Sequence, residues 1–346
     1  MKKVLFIDIL CPMGHKKINE KYIQLFSPAA DLTVVAHPDY YSELPPNVKI
    51  ITKNKLNMRE GKLLARIDGF RNMRICSKIA NSIKPEYIFF SSYETIASLF
   101  IGLFFNAKKA FLLSHNNIDE TTNRVKRFIY NLYARKVNHI VFEEFIKNYL
   151  IETFKISSKK IHVLPHPTYE NNINIDSTTK TYRYKCVGIS NSNNDVIVKK
   201  IIDIETEKNV FKKSNCKIIL KSKIYEFDNG YLKVFKGFIS SNEYSEYMSN
   251  AKFIYMPFPD TFNYRVSGTL IDAISQNKSV ISHNIGLIKH YEKKYPNICI
   301  TINNVDEFVE CVLSDEIRLN AESYEKFKFD HSDIKIVEIF KSIINT

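Results

Sequence analysis

Short apolar runs rich in β-branched residues alternate with longer stretches of helical period along most of this chain. In the first half, Val4–Leu10, Leu32–Ala36, Val48–Thr52, Tyr87–Ser91, Ala110–Ser114, His139–Phe142 and Ile161–Leu164 are predicted strands. Helix-length patterns lie between most of them, at Leu56–Ile83, Glu94–Phe105 and Thr121–Val137. The alternation lapses after "HVLPHP", where "TYENNINIDSTTKT" is polar and has no apolar period. It then resumes with predicted strands Tyr184–Ile189, Lys217–Leu220, Lys233–Phe235, Phe253–Pro257, Ser279–Ser282 and Ile298–Thr301. Asp333–Ile344 reads as a closing amphipathic helix.

Strands alternating with helices imply parallel sheets covered on both faces, which is why the strands are almost wholly apolar. The expected fold class is α/β, with two doubly wound, Rossmann-like domains facing a cleft. The expected boundaries are an N-terminal domain over residues 1–168, a linker over 169–182 and a C-terminal domain over 183–330. The last helix, 331–346, is expected to pack back on the N-terminal domain. A chain of 346 residues is long enough for two cores. Ligands of open α/β sheets bind at the carboxyl edges of the strands, so those edges are where chemistry is sought.

Charge narrows the partners. Fifty Lys and Arg against 37 Asp and Glu leave a net charge of +13, which favours anionic ligands or surfaces. The excess is spread along the chain without a zinc-finger or basic-zipper pattern, so nucleic acid is not the expected partner. The six cysteines form no C-x-x-C pair and read as reduced core residues of a cytoplasmic protein. The apolar part of "MKKVLFIDILCPMGH" is too short for a signal peptide, and "SLFIGLFF" falls far below the roughly 20 residues that span a bilayer. One helix pattern is informative. Arg66, Phe70, Arg74 and Lys78 recur every four residues, a basic and aromatic face suited to an anionic membrane surface, while Leu63, Ile67, Ile75 and Ile79 are expected to bury another face.

The strongest chemical signal is "YRVSGTLIDAISQNKSVISH", Tyr264–His283. Arg265, Ser267 and Gly268 stand where a helix begins. Unpaired amides and the positive dipole end make a helix N-terminus an anion site, Gly268 allows close approach, and an arginine can grip a diphosphate at two points. Asp272 follows inside the helix. A metal site is not expected: Asp203 and Glu205 in "DIE" fall on different faces of a helix.

The stretch "FIYMPFPDTFNYRVSGTLIDAISQNKSVISHNIG" resembles the nucleotide-sugar-binding region of GT-B glycosyltransferases, in particular the retaining, family-four-like group. That resemblance implies sugar transfer from a nucleotide-diphosphate donor, bound by the C-terminal domain, to a glycan or lipid-linked acceptor on the N-terminal domain. It implies no metal and no cofactor beyond the co-substrate, and a role in bacterial surface polysaccharide synthesis at the inner face of the membrane. Asp272 stands where the family carries its ribose-binding acid. Tyr264, not an acid, stands at the first position of the family's Glu-x7-Glu pair, with Asp260 as a substitute from the same loop. Lys236, Gly237 and Phe238 would lie near the nucleobase. "VGISNSNND" lacks the family's Lys-Gly, leaving Lys221 to face the diphosphate. Gly14 and His15 in "CPMGHKK" would shape the acceptor side, and His115, ending a strand in "FLLSHNN", would sit near the transferred sugar. Two alternatives remain open: a sugar-nucleotide epimerase of the same fold, and a non-catalytic binding subunit. The sequence leaves the oligomeric state open.

Overall fold

The computed structural model describes residues 1–56, 61–169, 182–314 and 320–345. The expected linker, 169–182, lies outside the described residues except for its two ends. The described chain separates into two compact units. The first comprises Met1–Pro167, Tyr264–Val266 and Asp330–Thr346, and the second Thr168–Asn263 and Ser267–Phe329.

In the first unit, strands β1 (Lys3–Asp8), β2 (Asp31–Ala36), β3 (Lys49–Thr52), β4 (Tyr87–Ser92), β5 (Ala110–Leu113), β6 (Asn138–Val141) and β7 (Ile161–Val163) form one sheet in the order β3-β2-β1-β4-β5-β6-β7. Every pairing in it is parallel. Its helices are α1 (Lys16–Phe26), α2 (Lys62–Ile83), α3 (Ile101–Phe104), α4 (Arg124–Tyr133) and α5 (Glu144–Phe154). Residues alternate between two cores: Leu5 and Ile7 point to one face of β1, Val4 and Phe6 to the other. The second of these cores is closed by the helix Asp333–Ile344. Phe340 stacks on Phe26 with ring centroids 3.8 Å apart, and Lys21 reaches Asp333 at 2.6 Å.

The second unit carries β8 (Tyr184–Gly188), β9 (Ile218–Lys221), β10 (Phe227–Asp228), β11 (Leu232–Phe235), β12 (Ala251–Met256), β13 (Ser279–His283) and β14 (Cys299–Ile302), in the order β10-β11-β9-β8-β12-β13-β14. Only β10, a two-residue strand too short to leave a pattern, runs antiparallel. The helices that serve this unit include α6 (Asp195–Lys208), α7 (Val210–Lys213), α8 (Ser241–Asn250) and α9 (Gly268–Ser275). Gly188 ends β8 where a Cβ would meet Leu220 Cδ2 at 2.9 Å and the Tyr255 carbonyl at 3.0 Å, so the strand can close here only with glycine. Both sheets reverse strand order beside their first strand, between β1 and β4 and between β8 and β12. These switch points open a crevice at the carboxyl edge.

Two sequence expectations need correction. The pattern Glu94–Phe105 is a 3₁₀ turn, Ala97–Phe100, running into the single turn of α3. In α2 the buried face is Asp68, Gly69, Asn72, Met73, Cys76 and Ala80, which puts Leu63 and Ile67 outside at 67% and 50% exposure. Ile79 is buried as expected. The apolar stripe of this helix is therefore split between core and surface.

Candidate functional site

The first unit builds its site at the switch point. Asp8, the last residue of β1, is fully buried. Its carboxylate accepts hydrogen bonds from the Cys11 amide (2.8 Å), Asn19 Nδ2 (2.9 Å), the Tyr41 hydroxyl (3.3 Å) and the Ser92 hydroxyl. It thus pins the loop after β1 to α1 and to the end of β4. That loop turns through Met13–His15, where Gly14 is exposed with open space about it and a negative φ, so its own backbone does not demand glycine. Asp8→Ala strands the Asn19 and Tyr41 donors, and is expected to lower stability by about 3 kcal/mol in denaturant melts.

The loop presents His15 against His115, whose rings stack at 3.7 Å and 16°. His115 Nε2 lies 3.0 Å from the Ser91 carbonyl, which can only accept, so Nε2 carries the proton and Nδ1 a lone pair. Burial, then the neighbouring His15 and His166, hold its pKa well below the usual histidine range. Burial also lowers His15, against the pull of Asp8. Both imidazoles are neutral at pH 7.

The pair lines a cavity of about 730 Å³ together with Arg66, Glu94, Glu120 and Lys126. Glu94 accepts from the Ala97 amide at 2.6 Å and stands 4.0 Å from Arg66 Nε. Glu120 accepts from the Thr95 hydroxyl at 2.5 Å and pairs with Lys126 at 2.9 Å. Asn123, also on the wall, caps α4 by accepting from the Val125 and Lys126 amides. Carboxylates, amides, cations and imidazoles around one space suit a ligand rich in hydroxyl groups. Sequence reasoning missed both glutamates; their signal was an acid just past a predicted strand (Glu94) and another past "FLLSHNN" (Glu120).

Arg265 stands just before the helix that begins at Gly268, and a carboxylate holds it there. Tyr264–Val266 belongs to the first unit, where Arg265 Nε lies 2.9 Å from Asp119 Oδ2 and the Tyr264 amide donates to Asp119 Oδ1 at 2.6 Å. The Tyr264 ring stacks on Tyr149 at 3.7 Å. A carboxylate that no local pattern foretold thus shares the guanidinium expected to grip a diphosphate.

In the second unit, Ser267 accepts from the Leu270 amide at 3.4 Å and caps α9, which starts at Gly268. Asp272 Oδ2 accepts from the Tyr244 hydroxyl at 2.8 Å. Asp260 lies in an exposed turn and uses its carbonyl to receive Asn263. The other group is at the carboxyl edge of β9 and β11, which pair in register with Lys221 opposite Phe235. Lys221 is only 7% exposed, and none of the described carboxylates pairs with its ammonium. Desolvation pushes its pKa down. The ammonium lies 5.2 Å from the centroid of Phe238, itself 93% exposed. Gly237 makes the bend between β11 and Phe238 at φ +90°, a conformation that suits glycine. Lys236 turns aside to Glu226 at 3.2 Å. Among the described residues no group of three or more His, Cys, Asp or Glu side chains could hold a metal ion.

No protein-family model matches the chain, and no curated protein matches it by sequence. Solved structures do match over its whole length. A sucrose-phosphate synthase from Thermosynechococcus elongatus aligns with TM-score 0.70 and 10% identity, over 100% of this chain and 98% of its own. Anabaena HepE, solved with UDP and glucose, aligns at 0.64 and 11%, with both chains fully covered. A UDP-N-acetylglucosamine 2-epimerase from Rickettsia bellii aligns at 0.61 and 11%, over 100% and 98%. The fold is therefore that of the GT-B glycosyltransferases: two α/β units, each with a doubly wound, largely parallel sheet.

Proposed function

We propose that the protein is a glycosyltransferase that takes a sugar from a nucleotide-diphosphate donor bound by the second unit and passes it to an acceptor bound in the cavity of the first. The observation that carries this is Lys221: a largely buried lysine whose ammonium has no described acidic partner, at a sheet's carboxyl edge, beside an exposed aromatic ring. Such a cation stabilises an arriving phosphate by a charge-assisted hydrogen bond, and the face of Phe238 offers stacking to a base. The capped N-terminus of α9 adds its dipole, and Asp272 has oxygen capacity for ribose hydroxyls. Anabaena HepE, of the same fold, was solved with UDP and glucose, which supports a uridine nucleotide as the first donor to try.

In this reading the departing diphosphate is neutralised by side-chain cations and a helix dipole, without metal. Arg265 contributes once it shares its guanidinium between Asp119 and the phosphates. His115, neutral and fixed by Ser91, orients the transferred sugar, and Asp260 is the acid nearest in sequence to the family's missing first glutamate. Configuration at the anomeric carbon is retained, and the product belongs to a bacterial surface glycan made at the cytoplasmic face of the membrane.

The test is thermal stabilisation by UDP, GDP, CMP and dTDP. A nucleotide at a hundred times its Kd adds about 2.7 kcal/mol to the native state. We expect a raised melting temperature with one of the diphosphates; no shift with any of them would overturn the donor site. An epimerase is the second reading, favoured by the Rickettsia bellii likeness and by neutral imidazoles beside carboxylates in one cavity. It predicts interconversion of UDP-sugars without any acceptor. Nucleotide binding without turnover on either assay would mark a non-catalytic subunit.

A further inference from the structure

The exposed apolar side chains of the first unit concentrate on three neighbouring segments. Leu63, Leu64, Ile67 and Phe70 stand out from α2, and Phe100 and Leu103 (73% exposed) from the 3₁₀ turn and α3. Val125, Phe128 (66% exposed) and Leu132 stand out from α4, at spacings of three and four that align them on one stripe. Both α2 and α4 pack against the turn Ala97–Phe100, and the Phe70 ring lies 5.2 Å from those of Phe100 and Phe104. The three segments therefore present adjoining apolar surface.

The exposed charge that α2 and α4 themselves carry is basic. Arg74 and Lys78 continue the exposed face of α2, and Arg124, Arg127, Arg135 and Lys136 stand exposed in and just after α4. Residues 124–136 contain no acid, and the one acid of α2, Asp68, is buried against Arg71 at 3.0 Å. A surface adapted to water alone interleaves both signs and keeps large apolar groups scattered. Exposed Leu, Ile and Phe between arginines and lysines, on helices that carry no exposed acid, complement acyl chains under anionic headgroups. None of the described helices is long and apolar enough to cross a membrane, so the contact is made from outside.

We propose that this face docks on an anionic lipid bilayer. Ala65 and Arg66 of α2 and Val125 and Lys126 of α4 also line the switch-point cavity, so docking sets that cavity at the lipid surface and makes its ligand the polar head of a lipid-borne acceptor. The acceptor part of this inference rests on the reading under Proposed function; the docking is read from the surface itself.

The experiment is flotation of the full chain with vesicles of phosphatidylcholine alone or mixed with phosphatidylglycerol. Binding to the anionic vesicles is expected to exceed binding to neutral ones by at least about tenfold, since each basic residue near the surface adds about a kcal/mol of attraction. Leu103→Ser with Phe128→Ser, and separately Arg124→Gln with Arg127→Gln, are each expected to reduce it about tenfold or more, their surface positions leaving the fold intact. Equal flotation with neutral vesicles, none with either, or full retention by the Leu103/Phe128 variant would overturn the proposal. Self-association in sedimentation that Phe128→Ser abolishes, without vesicle binding, would assign the face to a second copy and overturn it too. Nucleotide-induced stabilisation, measured on the same variants, separates the two readings. Its persistence without flotation removes the docking alone, and flotation without it removes the donor site alone.

Discussion

Lys221→Met is expected to abolish most of the nucleotide-induced stabilisation while leaving the unliganded protein as stable as before or more so. The two effects have opposite signs because they come from one cause. The side chain is largely withdrawn from water, and its partly desolvated ammonium lies beside an aromatic ring with no described carboxylate to offset that desolvation. A thioether of similar length removes that penalty and keeps the apolar stem packed. It cannot bond a phosphate. A hydrogen bond to a charged group contributes about 1.5–3 kcal/mol, so the Kd for a nucleoside diphosphate should rise by roughly tenfold to more than a hundredfold. Calorimetric titration of wild type and variant, with melts of both unliganded proteins, checks both signs. A structural lysine would show the reverse: a lower melting temperature and unchanged affinity.

The second large effect is expected at mildly acid pH, in the first unit. His139 is buried with Nε2 on the Ala134 carbonyl (2.8 Å) and Nδ1 near the Tyr130 hydroxyl (3.2 Å), and burial lowers its pKa to about 4. Burial takes His166 down to about 3, with the nearby His331, His15 and Lys17 acting in the same direction. The unfolded chain titrates these groups near 6.5. Folded values lie below the unfolded one, so their contribution is complete above pH 6.5 and is lost as pH falls from there toward 4 and 3. Between pH 7.5 and 5 each histidine removes about 2 kcal/mol, about 4 kcal/mol for the two, and His115 adds to this in the same direction. Guanidinium melts at pH 7.5 and pH 5 measure the loss. Equal midpoints would show that these imidazoles are not held neutral in the native state.

The α/β alternation was legible because buried parallel strands must be apolar on both faces, and the helix Asp333–Ile344 was legible to the residue because Ser332 caps it by accepting from the Lys335 amide. What escaped were features set by distant partners. The pairing of Tyr264 and Arg265 with Asp119 spans some 145 residues, and no period or local motif encodes it. Asp8 left only the faint sign of an acid in "FIDIL", where its donors come from three other segments. His15 and His115 were both visible as polar residues past strand ends, but their stacking is a product of sheet order. Leu63 and Ile67 misled for a plainer reason. An amphipathic period marks a stripe without saying whether protein or another phase covers it.

The stacking of Phe340 on Phe26 bears on how the molecule is made. The core around Phe26 and Phe89 lacks one wall until residues 333–344 have left the ribosome, long after β1 to β7 are available. The second unit, Thr168–Asn263 and Ser267–Phe329, has emerged in full by then. The earlier-synthesised half is thus the later to finish, and a nascent chain stalled near residue 330 would offer chaperones an aromatic surface that the released protein never shows.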